Sequence, residues 1–280
     1  MPTQSAEPSR RIYIFRHPAF VRVTHWINVV CVVVLVMSGL QIFNAHPQLD
    51  WGKDSNFERA EVLSISDESA PDGRQVGVTQ IFGGRFDTTG VLGVSQSDGE
   101  THARAFPSWA TIPGSQHLAA GRRWYFFFAW ILFLNGLIYI AISLAGGHAR
   151  RDLAPSAEEI RHVPRSFLDH LLLRFPKGED AKRYNVLQKL SYVLVVFAVF
   201  PLLITAGLMM SPALNAAFPW LLDLFGGRQS ARTIHFLAAA AVVAFVIVHV
   251  VMVFLSGPFN NIRSMITGRY EIEEAPKHAE

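Results

Sequence analysis

Three histidines interrupt long apolar stretches of this 280-residue chain: His25, His235 and His249. A titratable side chain inside hydrocarbon is costly to place and marks a functional site by default. His235 and His249 share one stretch, 233–256, and stand fourteen residues apart. On a helix that spacing covers roughly 21 Å, close to the hydrocarbon thickness of a bilayer, and falls about 40° short of whole turns. The two imidazoles therefore share one face near opposite membrane surfaces. Imidazole is a common metal ligand, so the pair predicts two stacked metal centres. The competing reading is that each ring only hydrogen-bonds a neighbouring helix, which for a lone histidine is the commoner case.

His25 sits near the start of the first apolar stretch and His249 near the end of the fourth, so both fall at the same depth and can bracket one iron. His235 needs a partner near the other surface. Two of the three histidines occur in one local pattern, Arg22-Val-Thr-His25-Trp26 and Arg232-Thr-Ile-His235-Phe236. An arginine three residues earlier lies on the same helix face, one turn nearer water. It is placed to pair with a carboxylate such as a haem propionate while the imidazole takes the iron. Arg122-Arg123-Trp124-Tyr125-Phe126 opens the second stretch in the same way, with Tyr125 where the histidine is expected. The other histidines lie outside the stretches or at their edges, where surface roles are the simpler reading.

The elements that must carry these residues are four membrane spans, about 23–43, 122–144, 186–210 and 233–256. Half of the residues are apolar and the mean hydropathy is +0.25, which fits an integral membrane protein. A single cysteine, Cys31, excludes a disulfide framework and a thiolate cluster. No cleavable signal is evident, and nothing in the pattern points to nucleic acid. Arg10, Arg11, Arg16 and Arg22 precede the first span, and Arg150, Arg151, Arg161, Arg165, Arg174, Lys177, Lys182 and Arg183 lie in the loop 146–185. Basic excess places both segments, and the two termini, in the cytoplasm. The segment 46–120 carries ten acidic against five basic residues and is then an extracytoplasmic insert. Its β-branched runs and Asp-Gly turns fit one or two hairpins or a loosely ordered loop equally well. Phe218–Gly227 reads as a short amphipathic helix at the outer interface, and 157–175 as a basic surface helix on lipid headgroups. The expected architecture is an all-α integral membrane protein: a four-helix bundle forming one membrane domain over 1–280, with a long insert between helices one and two.

RVTHWIN, GRRW-x-FFFAWILFLNGLIY, SARTIHF and HVVMVFLSGPFNNIRSMITGRY together resemble the bacterial dihaem cytochrome b family. This is the cytochrome b561-like group that includes membrane subunits of hydrogenases, formate dehydrogenases and thiosulfate-reductase-type enzymes. The resemblance implies two b haems held by histidines of helices one, two and four. His25 matches the first-helix ligand, and His235 and His249 match the fourth-helix pair; Arg22, Arg122 and Arg232 would hold propionates. The second-helix ligand position falls on Tyr125, where the chain departs from the pattern. Three explanations stay open: His117, eight residues earlier, bends back to the outer iron; Tyr125 ligates as phenolate; or the outer haem is five-coordinate or absent.

The reading is an electron carrier in the bacterial inner membrane, linking the quinone pool to a periplasmic oxidoreductase, by resemblance a molybdopterin enzyme. A quinone site would lie near the inner haem, where His17, Asn28, His148, Asn260 and Asn261 are candidates and no motif selects among them. A second class is a self-contained superoxide:quinone or ferric reductase, favoured if the outer iron is open. A third is a transporter or structural protein without haem.

Overall fold

Long apolar runs become helices here because lipid offers the backbone no hydrogen-bond partner. The computed structural model describes residues 10–55, 61–97, 99–147, 155–172 and 185–274. His148, His278 and the basic residues 150, 151, 174, 177, 182 and 183 lie outside the described residues. In chain order the helices are α1 (Ala19–Phe43), α2 (Leu118–Ala145), α3 (Ala157–Arg161), α4 (Val163–Leu171), α5 (Val186–Leu194), α6 (Phe200–Met209), α7 (Pro212–Ala217), α8 (Pro219–Leu224), α9 (Arg228–Leu255) and α10 (Pro258–Thr267). Four helical stretches are long and apolar enough to cross a membrane: α1, α2, α9 and Val186–Met209. The last is α5 and α6 joined by a π-turn at Val195–Val199. Pro201 has no N–H for the carbonyl of Phe197, and the ladder widens just before it. Hydroxyls within the spans bond back to their own helices: Thr24 Oγ1 to Phe20 O at 2.7 Å, Ser38 Oγ to Val34 O at 2.6 Å and Ser256 Oγ to Met252 O at 2.6 Å. Large apolar side chains such as Val33, Phe127, Trp130, Ile247, Val248 and Phe254 stay exposed, a surface suited to lipid and not to water.

The chain divides into two compact units. One comprises residues 1–27, 135–198 and 244–280. Here β1 (Arg10–Phe15) pairs antiparallel with β8 (Arg269–Glu274), with Ile12 opposite Ile272 and Arg11 opposite Glu273. The segments before the first span and after the fourth therefore lie on the same side. Helix α10 packs back on the start of α1: Trp26 Nε1 donates to Met265 O at 3.0 Å, and Arg22 donates to Ile266 O. The expected surface helix at 157–175 is split into α3 and α4. A capping box at Ser156 starts α3, with Glu159 at its third position. Glu159 also accepts from Lys189 Nζ of α5 at 2.8 and 3.0 Å, and Ser166 Oγ donates to Asn185 at 2.9 Å. Hydrogen bonding by Lys189 holds the Glu159 carboxyl below its ordinary range, with the Ser156 N–H adding to the effect.

The other unit comprises residues 28–134 and 199–243. Between α1 and α2 the chain forms a four-stranded antiparallel sheet in sequence order, β2 (Gln48–Leu49), β3 (Leu63–Ser69), β4 (Gln75–Ile81) and β5 (Gly84–Asp87), and a hairpin, β6 (Val94–Ser97) with β7 (Glu100–Ala103). The chain is thus mostly helical, and the all-α expectation fails at this segment: β-branched residues and tight turns favour strands there. Phe43 at the end of α1 joins Leu49, Ile65 and Ala105 in a buried cluster, covered by Phe106 and by Phe236 of α9. Asn44 clamps Phe106 through both amide atoms, donating to its O at 3.3 Å and accepting from its N at 2.7 Å. Gln41 receives Arg104 at 3.0 Å and donates to Ser115 O at 3.0 Å. Burial lowers the Arg104 guanidinium from its ordinary value, since the charged form loses hydration there.

Helix α9 starts five residues earlier than expected because the segment after α1 caps it. Gly52 O accepts from Gln229 N at 3.1 Å and Ser230 N at 3.2 Å, and Ser230 Oγ accepts from Gly52 N at 2.8 Å. Thr233 Oγ1 donates to Asp50 O at 2.6 Å. The turn into α9 needs glycine at position 227: its φ is +116°, and a Cβ would lie 2.6 Å from Gly52 O. Helix α2 also starts early, at Leu118, because His117 Nδ1 accepts the N–H of Ala120 at 3.2 Å. The amphipathic helix expected at Phe218–Gly227 is α8, closed by Gly226 and Gly227 at positive φ.

Candidate haem-binding and histidine sites

Helices α1 and α9 bring the rings of His25 and His249 together, edge to face, in the first unit. Their ring centroids are 6.3 Å apart with 67° between planes. A metal–imidazole bond is about 2.0 Å, and a ligating nitrogen lies roughly 1.1 Å from its ring centroid, so two imidazoles on opposite sides of one metal hold their centroids about 6.3 Å apart. Trp26 contacts His25 edge-on at 5.4 Å, and Phe245 stacks on His249 at 5.8 Å, which fixes both ring planes. Among the described residues no cluster of three or more His, Cys, Asp or Glu is placed to hold a metal ion. Two opposed imidazoles with no further protein donors fit a group that brings its own equatorial nitrogens, which is what haem does. Arg22, one turn away, donates to Ile266 O, while its buried Nε has no partner among the described residues. That orphaned donor fits a carboxylate of such a group. The residues present therefore fit a haem.

The second unit holds His235 differently. Its Nδ1 lies 2.8 Å from Leu203 O of α6 and its Nε2 lies 2.8 Å from Tyr125 Oη of α2. A carbonyl only accepts, so Nδ1 carries the proton. Nε2 is then the acceptor and the Tyr125 hydroxyl the donor. Gly207 makes room for this: a Cβ there would sit 3.0 Å from His235 Cε1 and 3.1 Å from Nδ1. The structure thus sets Tyr125, and not His117, against His235; His117 is spent on the start of α2. Arg232 donates to His46 O and lies 5.8 Å over the Phe43 ring. Arg122 is exposed, with its guanidinium 5.9 Å over Phe126.

Of the quinone candidates, Asn260 and Asn261 serve the fold. Asn260 takes both backbone groups of Glu271, at 2.8 and 2.9 Å, and Asn261 donates to Ser256 Oγ at 2.9 Å. His17 is buried. The residues that sequence reasoning passed over are Leu203 and Gly207, which position His235. A glycine near the end of the third span, Val186–Met209, is the signal that could have pointed there, since small residues in spans mark close helix approach.

A family model described as prokaryotic cytochrome b561 matches residues 16–268. A curated relative from Azospira oryzae, described as a putative protein-methionine-sulfoxide reductase subunit YedZ1, is 28% identical over 247 residues, covering 88% of this chain and 93% of its own length. No solved structure matches.

Proposed function

The chain belongs to the prokaryotic cytochrome b561 family, and from that premise we propose that it carries electrons between membrane quinone and a periplasmic redox partner through a haem held by His25 and His249. Family membership makes it a multi-pass, haem-binding membrane protein of electron transport. The observation that carries the proposal is the 6.3 Å separation of the two opposed rings. Haem supplies one-electron chemistry when bound. The chain's own contribution would be the imidazoles of His25 and His249, which together would leave no open position for a substrate. Trp26 and Phe245 pack against these rings and would hold them in place. Arg22 offers positive charge and an unpaired N–H to a propionate.

The partner reading draws on the relative, which is described as a subunit of a methionine-sulfoxide reductase. A sulfoxide needs two electrons and two protons to yield a sulfide and water, and a quinol releases two of each. A reductase docked on the β-rich segment between α1 and α2, of molybdopterin type, is the proposed acceptor. In this reading the segment faces the periplasm and the β1–β8 side faces the cytoplasm, in the bacterial inner membrane. The relative's description as a reductase subunit supports this reading over a self-contained superoxide or ferric reductase. The second haem expected at His235 is not part of this proposal, because the ligating nitrogen already accepts from Tyr125.

The test is the optical and electron paramagnetic resonance spectrum of purified protein. A low-spin bis-histidine haem, lost in both His25→Ala and His249→Ala, is the expected result. A protein without haem, or with haem retained in both variants, overturns the assignment. Quinol-dependent reduction of that haem and co-purification with a periplasmic reductase check the rest.

A further inference from the structure

We infer that the position of His235 holds no haem: a Tyr125–His235–Leu203 hydrogen-bond relay fills it, and the chain carries one haem, not two. The inference rests on the reading that His25 and His249 hold that one haem.

The argument is one of distance. Axial ligands stand on opposite sides of a haem plane, so with bonds of about 2 Å their donor atoms must be about 4 Å apart. Tyr125 Oη and His235 Nε2 are 2.8 Å apart, which is hydrogen-bond length and leaves no gap for an iron and its ring. The two pairs have nearly equal centroid separations, 6.3 Å for His25–His249 and 6.4 Å for Tyr125–His235, but a phenol oxygen stands further from its ring centre than an imidazole nitrogen, so only the first pair has room for that gap. The tautomer is common to both readings, so the distance decides. A ligating histidine usually donates its second nitrogen to a carbonyl or carboxylate, and His235 keeps that bond, to Leu203 O at 2.8 Å. The nitrogen so freed is aimed at Tyr125, which is a donor by its chemistry. A histidine in place of Tyr125 would lack the phenol's reach. The relay also joins three spans, α2, α9 and α6, so it supplies the cross-bracing that a shared cofactor would otherwise give. Helix α6 packs close on the remaining side, where even a Cβ at Gly207 would sit 3.0 Å from the ring.

The experiment measures haem per polypeptide by the pyridine haemochromogen method, on the purified full chain and on three variants. Wild type should hold one haem. Tyr125→Phe and His235→Ala should keep that haem with an unchanged low-spin spectrum, while His249→Ala should lose it. Loss of a single wild-type haem in Tyr125→Phe overturns both the inference and the His25–His249 reading, while two haems in wild type overturn the inference and leave that reading standing. Loss of haem in His249→Ala together with a second haem retained has the same meaning. A wild type with no haem overturns the reading and the inference together. Should His235→Ala fail to fold, the milder Tyr125→Phe carries the decision, because its aromatic ring keeps the packing and removes only the hydroxyl.

Discussion

Replacing Gly207 with Ala tests the packing on which the His235 geometry depends, and two opposing effects decide its sign. Alanine favours a helix over glycine by about 1 kcal/mol. Against that, the new Cβ would sit 3.0 Å from His235 Cε1 and 3.1 Å from Nδ1, closer than ordinary contact. Overpacking of this kind costs about 1–3 kcal/mol. The ring is held at both nitrogens, at 2.8 Å each, so it cannot yield without stretching a bond between helices. Such a bond is worth roughly 0.6 kcal/mol in a membrane protein. The net expectation is destabilisation by about 0.5–2.5 kcal/mol. Gly136→Ala in α2 is the matched control, because a Cβ there meets nothing within 4 Å; it should stabilise by about 1 kcal/mol. Unfolding in detergent, titrated with dodecyl sulfate and followed by circular dichroism, gives the difference between the two directly. Gly207→Ala equal to or more stable than Gly136→Ala refutes the close packing of α6 on His235.

Further outcomes follow from other contacts. Gly227→Ala should destabilise by at least about 1–3 kcal/mol, because a left-handed residue and the cap of α9 are disturbed together; its unfolding midpoint beside wild type checks this. The Lys189–Glu159 tie contributes stability above the ordinary carboxylate range, since Glu159 titrates lower in the folded state; it is lost as pH falls through that lowered value. Hydrogen exchange in α3 and α4 should therefore rise at acid pH in wild type and show little pH response in Lys189→Met. Equal pH dependence in both proteins refutes the tie. Thr233→Val removes the donor to Asp50 O and should cost about 1 kcal/mol, read from the same detergent unfolding.

The spans were legible because nothing else places twenty apolar residues in a row. Their ends were not, since caps from distant residues set them: Gly52 for α9, and the His117 ring for α2. The facing of Tyr125 and His235 follows from the repeated arginine pattern, which fixes depth on two helices; what fills the space between them is a matter of side-chain length that spacing does not carry. The β1–β8 pair was missed. Its two six-residue strands, Arg10–Phe15 and Arg269–Glu274, lie at opposite ends of the chain; the first reads as a basic segment by its charge, and no pattern assigns an element to the second. Ile12 and Ile14 alternate with polar residues, and Arg11 lies 3.5 Å from Glu271, so period two and opposite charge were both present. No local rule joins segments so far apart.

The same separation gives the proposed ligand pair an order in time. His25 is synthesised 224 residues before its facing ring at position 249 (249 − 25 = 224). At about 5–20 residues per second that is a delay of roughly 10–45 s. During it the first span waits in the bilayer with half a ligand set. The clasp of β1 on β8 forms later still, once the residues beyond the fourth span have emerged. Under the proposed function, both ligands of this haem would be present only once the fourth span had been made.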